Sequence, residues 1–303
     1  MSEQVLPKNT VNTQALSPMA IAYLWGLSGV LMFSGGLVAT RIAVLELPAL
    51  FVGAGRAAVA GILSLLLLAG LKQQLPERRY WPGLLVVAFG AVFAYPLLSA
   101  LALQWTDASH ATLVTALMPL FTAVFGAWLS AQVPRLGFWL FACAGALLVL
   151  GYSLAQHKIN SLALADALLL LACLCCGLAY AKGAMLAKDL GSWQVICWAL
   201  VLSLPLSLPL TVVQLPAISL ADISVSAWLG FVYLSLFSMF LGFFAWYRGL
   251  SLGGVAQISQ LQQLSPFLGL GWAAVCLGEH ISVVQLGIAA LVVLCIVLGR
   301  RFG

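Results

Sequence analysis

The chain has 303 residues, 63% of them hydrophobic and 7% charged, and a formal net charge of +5 at pH 7. A soluble domain is about a quarter charged, so 13 Lys and Arg with 8 Asp and Glu cannot clothe a water-facing surface of this length, and lipid must be the solvent for most of it. The cations are scattered between apolar runs and form no patch, which speaks against nucleic acid as a partner and makes them reporters of topology.

Residues 1–18 are polar and lack the basic start and short apolar core of a cleaved signal peptide, so they read as a cytoplasmic tail. A hydrocarbon core of about 30 Å needs about 20 helical residues per crossing. Runs of that kind fall at about 19–40, 47–69, 81–104, 108–130, 135–154, 163–187, 193–213, 225–250, 254–277 and 283–300. They are continuous and rich in Leu and Ala, unlike the alternating strands of a barrel, and a helix satisfies its backbone without water. The expected fold class is therefore all-α integral membrane, with ten transmembrane helices. Pro96, Pro119, Pro205, Pro209 and Pro266 and the pair Gly35–Gly36 interrupt these spans and predict bent or broken helices around a cavity.

Lys8, Lys72, Arg78, Arg79, Arg135, Lys182, Lys188, Arg248, Arg300 and Arg301 fall on one side of such a bundle, against Arg41 and Lys158 on the other. This bias puts both termini in the cytoplasm. The halves echo each other: GLVATR at 36–41 resembles GLAYAK at 177–182, while Trp81 matches Trp228 and Pro119 matches Pro266 at one offset of 147. A duplicated five-helix unit, 19–154 and 163–301, must enter the membrane in opposite senses, which predicts two inverted repeats around a central cavity.

Candidate site residues are the polar groups inside the spans. Arg56 lies about nine residues into the second span, roughly 13 Å from its end at about 1.5 Å per residue. It is too deep to snorkel easily, and either binds a substrate carboxylate or ties up carbonyls near a helix break. The ninth span opens with Gln257, Ser259, Gln260, Gln262, Gln263 and Ser265 before Pro266. At about 100° per residue, Ser259, Gln260 and Gln263 share a face expected to line a substrate path, while Gln257 and Gln262 suit polar contacts between helices. The fourth span offers Ser109, His110, Thr112 and Thr115 before Pro119, with His110 and Glu279 as candidates for a proton relay. Asp107, Asp166 and Glu279 sit near helix starts, where capping also accounts for them. Tyr95, Trp105, Tyr180, Trp246 and Tyr247 either stack on a ligand or form interfacial belts. The seven cysteines lie mostly in apolar runs, and CLCC at 173–176 lacks His or carboxylate at ligand spacing, so neither metal nor cofactor is expected.

The stretches ALQWTDASHATLVTALMPLFTAVFGAWLSA (102–131) and YRGLSLGGVAQISQLQQLSPFLGLGWAAVCLGEH (247–280), with Asp166, Arg56 and the glycines Gly145, Gly151, Gly287 and Gly299, resemble the ten-helix EamA-type branch of the drug/metabolite transporter superfamily. The resemblance implies two inverted five-helix repeats whose helices 1, 3, 4, 6, 8 and 9 line a cavity, and a secondary transporter, by expectation an exporter, of small polar metabolites such as amino acids across an inner membrane. It also implies an acid after the fourth and ninth spans; Glu279 is present, but the first copy carries Gln132. A membrane-embedded enzyme acting on lipid or quinone, a channel and a structural subunit are the alternatives.

Overall fold

Among the described residues the apolar runs become helix, and no strand occurs. The computed structural model describes residues 17–129, 135–155, 161–218, 222–253, 258–299 and 301, so most of the expected tail lies outside it. We number the apolar helical segments α1 (Pro18–Val44), α2 (Ala49–Gly70), α3 (Arg78–Ala102), α4 (Ala108–Leu129), α5 (Leu136–Val149), α6 (Leu164–Leu190), α7 (Ser192–Gln214), α8 (Val225–Gly249), α9 (Leu261–Leu277) and α10 (Val283–Gly299). Seven are long and apolar enough to cross a membrane, and α5, α9 and α10 are shorter apolar helices. The protein is thus an all-helical, multi-pass membrane protein.

Packing treats the two halves alike. The segment α2 lies along α7, α4 against α9 and α5 against α10, while α1 packs on α8 as α6 packs on α3, and α4 meets α6 as α9 meets α1. Exchanging α1–α5 with α6–α10 carries this set of contacts onto itself. Small residues permit the closest approaches: a Cβ on Gly249 would lie 2.6 Å from the Gly26 nitrogen, and one on Gly61 2.9 Å from the Leu200 carbonyl oxygen.

Breaks fall at Gly35–Gly36, at Pro119 and ahead of Pro266, whereas α7 runs on as continuous helix through Pro205 and Pro209, which do not break it. In α1 the helix Pro18–Ser34 stops at Gly35 and resumes at Gly36, and the Tyr233 hydroxyl donates to the Met32 carbonyl there. In α4 the helix ends at Thr115 and restarts at Met118. Pro119 and Pro266 lack the N–H that would bond the carbonyls of Thr115 and Gln262, four residues back. Ahead of Pro266 the chain tightens into a 3₁₀ helix, Ser259–Leu264, in which the Ser265 N–H reaches the Gln262 carbonyl. Wide π turns occupy Ala88–Ala94 in α3 and Leu234–Leu241 in α8. The offset of 147 that relates the two prolines relates these two segments as well.

One end of the bundle is tied together by polar contacts between loops and helix ends distant in sequence. The Glu46 carboxylate accepts from both the backbone N–H and the hydroxyl of Ser224, each at 2.6 Å. Arg41 donates to the Leu103 carbonyl and stands 4.0 Å from Asp107. Glu279 accepts from the backbone N–H groups of Ala108 and Ser109 at 3.0 and 2.8 Å. His110 Nε2 meets Asp166 at 2.6 Å. Capping of its own helix therefore does not account for Glu279, and Asp107 stands at an N-cap position without a side-chain cap bond. Glu279, just past the end of α9, caps α4 in the other half.

The Ser224 bonds hold the Glu46 carboxyl below the usual carboxylate range. A depressed folded-state pKa stabilises the protein above the ordinary value, and the contribution disappears as pH falls through the lowered one. Thermal unfolding of detergent-solubilised protein should therefore show a drop in midpoint on acidification that is smaller in Glu46→Gln than in the wild type.

Candidate functional site

A cavity of about 120 Å³ lies at the centre, lined from both halves. The break in α1 presents Phe33, Ser34 and Gly36 to it, and the broken regions of α4 and α9 present Thr115, Pro119, Gln263 and Pro266. At the offset of 147, Ala91 corresponds to Ser238, Thr115 to Gln262, Ala116 to Gln263, Met118 to Ser265 and Pro119 to Pro266, and both members of every pair line the cavity. Helix irregularities of this kind are tolerated at membrane depth where they border a cavity, and π segments are frequent at functional sites.

Arg56 is the cation of this cavity. It is 4% exposed, and its neighbours Ala54, Gly55, Ala57 and Ala58 are small and buried. Gly53 on the same helix would place a Cβ 2.7 Å from the Leu97 Cα, so α2 sits deep against α3 and α7 and delivers Arg56 to the centre. No carboxylate among the described residues pairs with it, and its Nε has no hydrogen-bond partner. The Gln263 side-chain nitrogen, contributed by the opposite half, is likewise buried without a partner. Five of the hydroxyls facing the cavity have already spent their protons. Thr40, Thr112 and Thr115 donate to carbonyls one turn back at 2.7, 2.7 and 2.9 Å, and Ser34 and Ser99 do so at 2.9 and 3.1 Å. Their oxygens remain as acceptors, and Ser34 takes the indole N–H of Trp272. Tyr95 and Tyr180 add aromatic faces to the wall.

The residues named from sequence divide into three groups. Arg56, Tyr95, Thr112, Thr115 and Gln263 line the cavity. Ser259 and Gln260 fall in the 3₁₀ turn, and their side chains lie outside the described residues. His110 and Glu279 sit in the tied end. Three differences have physical causes. A 3₁₀ helix turns about 120° per residue, so the assumed 100° face does not hold, and Gln262, assigned to contacts between helices, faces the cavity. The segments α2 and α10 also contribute, through Arg56 and through Val293 and Ile296. Tyr180, named for ligand stacking, lines the cavity, and Ser238 and Phe243 join the wall as well; the offset of 147 links Ser238 to Ala91, but an alanine gives no polar signal to follow.

Comparison with known proteins decides the family. The EamA-like transporter family model matches this chain twice, over residues 20–154 and 163–299. The chain belongs to the EamA-like transporter family. A Bacillus subtilis (strain 168) protein named uncharacterized transporter YdeK is 49% identical over 277 residues, covering 91% of this chain and 96% of that protein. A protein of known crystal structure shares the fold, with a TM-score of 0.65 at 21% identity over 93% of this chain and 99% of that one. As an EamA-like family member, the protein is a membrane transporter.

Proposed function

We propose that this EamA-like transporter is a secondary carrier that exports small polar metabolites, and that all ten helical segments cross the membrane as two inverted five-helix repeats. The carrying observation is the central cavity, lined at matched positions from both halves and holding a buried arginine. A carrier needs one site that two half-molecules can expose in turn. One end tied together by contacts between loops and helix ends supports a gated carrier over an open channel. The distribution of Lys and Arg supports cytoplasmic termini in a cell inner membrane. The acting groups are those of the cavity, with neither enzyme chemistry nor cofactor in this reading. Proton coupling falls to His110, whose imidazole meets Asp166 across the halves. Glu279 is less suited, because both its oxygens hold backbone N–H groups.

Purified protein in liposomes tests this. Saturable, stereoselective counterflow of labelled small polar solutes, accelerated by a pH gradient, is the expected result. Flux that rises linearly with concentration for every solute would sink the carrier reading, and indifference to the gradient would remove the proton.

A further inference from the structure

The geometry points to a compact solute with a carboxylate and a net negative charge as the ligand of the central cavity, an inference that rests on the carrier reading above. Arg56 and Gln263 approach the cavity from opposite halves, and the polar atoms left without partners on them, Nε and the amide nitrogen, are both donors. Two orphaned donors call for an acceptor. Arg56 carries full charge at 4% exposure, and an uncompensated buried cation is costly until an anion neutralises it. No Asp or Glu among the described residues lines the cavity. The acids Glu46, Asp107, Asp166 and Glu279 are engaged instead at the tied end.

The guanidinium fork matches a carboxylate with two parallel bonds, and the Gln263 amide supplies a further donor from the other half. A solute anion would thereby connect the two halves, as a site between moving repeats requires. The ammonium of a zwitterion would find hydroxyl oxygens and aromatic faces but no counter-charge, so it loses hydration without an ion pair in return. Neutral solute hydroxyls suit that part of the wall better, because Thr40, Thr112 and Thr115 present oxygens whose own protons are committed. The volume of about 120 Å³ approaches the roughly 150 Å³ that admits benzene, which sets the solute at about six non-hydrogen atoms.

A carbon-matched series in proteoliposomes reads the charge requirement: L-lactate as the anion, L-alanine as the zwitterion and 1-aminopropan-2-ol as the cation. Lactate should enter saturably, with a half-saturation about tenfold or more below that of alanine, and the amine should not compete. Arg56→Gln should reduce lactate flux about 10- to 100-fold, the range expected for a lost charge-assisted contact, and should erase the preference for lactate over alanine. Arg56→Lys should restore part of that preference, because the charge returns without the fork. A purely structural arginine would lower all fluxes alike and leave the preference intact. Should Arg56→Gln fail to fold, the wild-type series still decides. Saturable transport with alanine or the amine equal to or better than lactate overturns the anion assignment while the carrier reading stands. Absence of saturable flux for any solute defeats both.

Discussion

Gly90→Val is expected to abolish stable folding, the largest single-residue effect in this protein. Gly90 is buried in the π segment of α3 where that helix crosses α6. A Cβ there would run into the Cys175 carbonyl and lie 2.8 Å from the Ala179 methyl. The first obstacle is backbone, so relief requires two helices to separate rather than a rotamer to change. Overpacking a dense interior costs about 1–3 kcal/mol and more where backbone must move. The next turn of α3 carries Ala91 and Tyr95 into the cavity, and Tyr180 faces them from α6, so the damage extends to the site. Size-exclusion chromatography in detergent should show aggregated Gly90→Val. Gly287→Ala is the control: its Cβ would meet nothing within 4 Å, and a mid-helix alanine is neutral or stabilising by up to about 1 kcal/mol. A monodisperse Gly90→Val with the wild-type melting midpoint would show that the α3–α6 contact is looser than described.

Glu279→Ala comes second, with an expected loss of about 2–4 kcal/mol, from charge-assisted bonds removed and buried donors left unmet. Its carboxylate holds the N–H groups of Ala108 and Ser109, which are 0% and 5% exposed. It also places negative charge at the positive end of a helix. Asp107 cannot take over, since it is aimed at Arg41 and makes no cap bond. Glu279→Gln should fall between, keeping an acceptor without the charge, and Asp107→Ala should cost clearly less. Thermal unfolding of the three variants orders them; an Asp107→Ala loss as large as that of Glu279→Ala would contradict the cross-half cap. Because this cap joins the α9–α10 loop to the start of α4, losing it should also loosen the tied end, readable as faster labelling of a cysteine introduced at Thr106.

Much of this architecture is legible residue by residue. The solvent, the helical spans and the break points follow from hydropathy, from Gly35–Gly36 and from Pro119 and Pro266, because in lipid each segment must satisfy its own backbone and so carries its structure locally. The offset of 147 was visible in Trp81 and Pro119 and reappears in paired π turns and paired cavity residues. The depth of Arg56 within an apolar span already marked it as facing protein or water.

The tertiary structure decided what depends on distant approach. Glu279 reaches Ala108 across 171 positions and His110 reaches Asp166 across 56, and no local pattern encodes either. The side of α9 turned to the cavity was decided by a 3₁₀ turn that Pro266 makes favourable but does not by itself demand, and this brought Gln262 inward. Composition and periodicity report a segment's exchange with its solvent. Which polar atoms stay unpaired at the centre, as on Arg56 and Gln263, is known only once every neighbouring helix has taken its place.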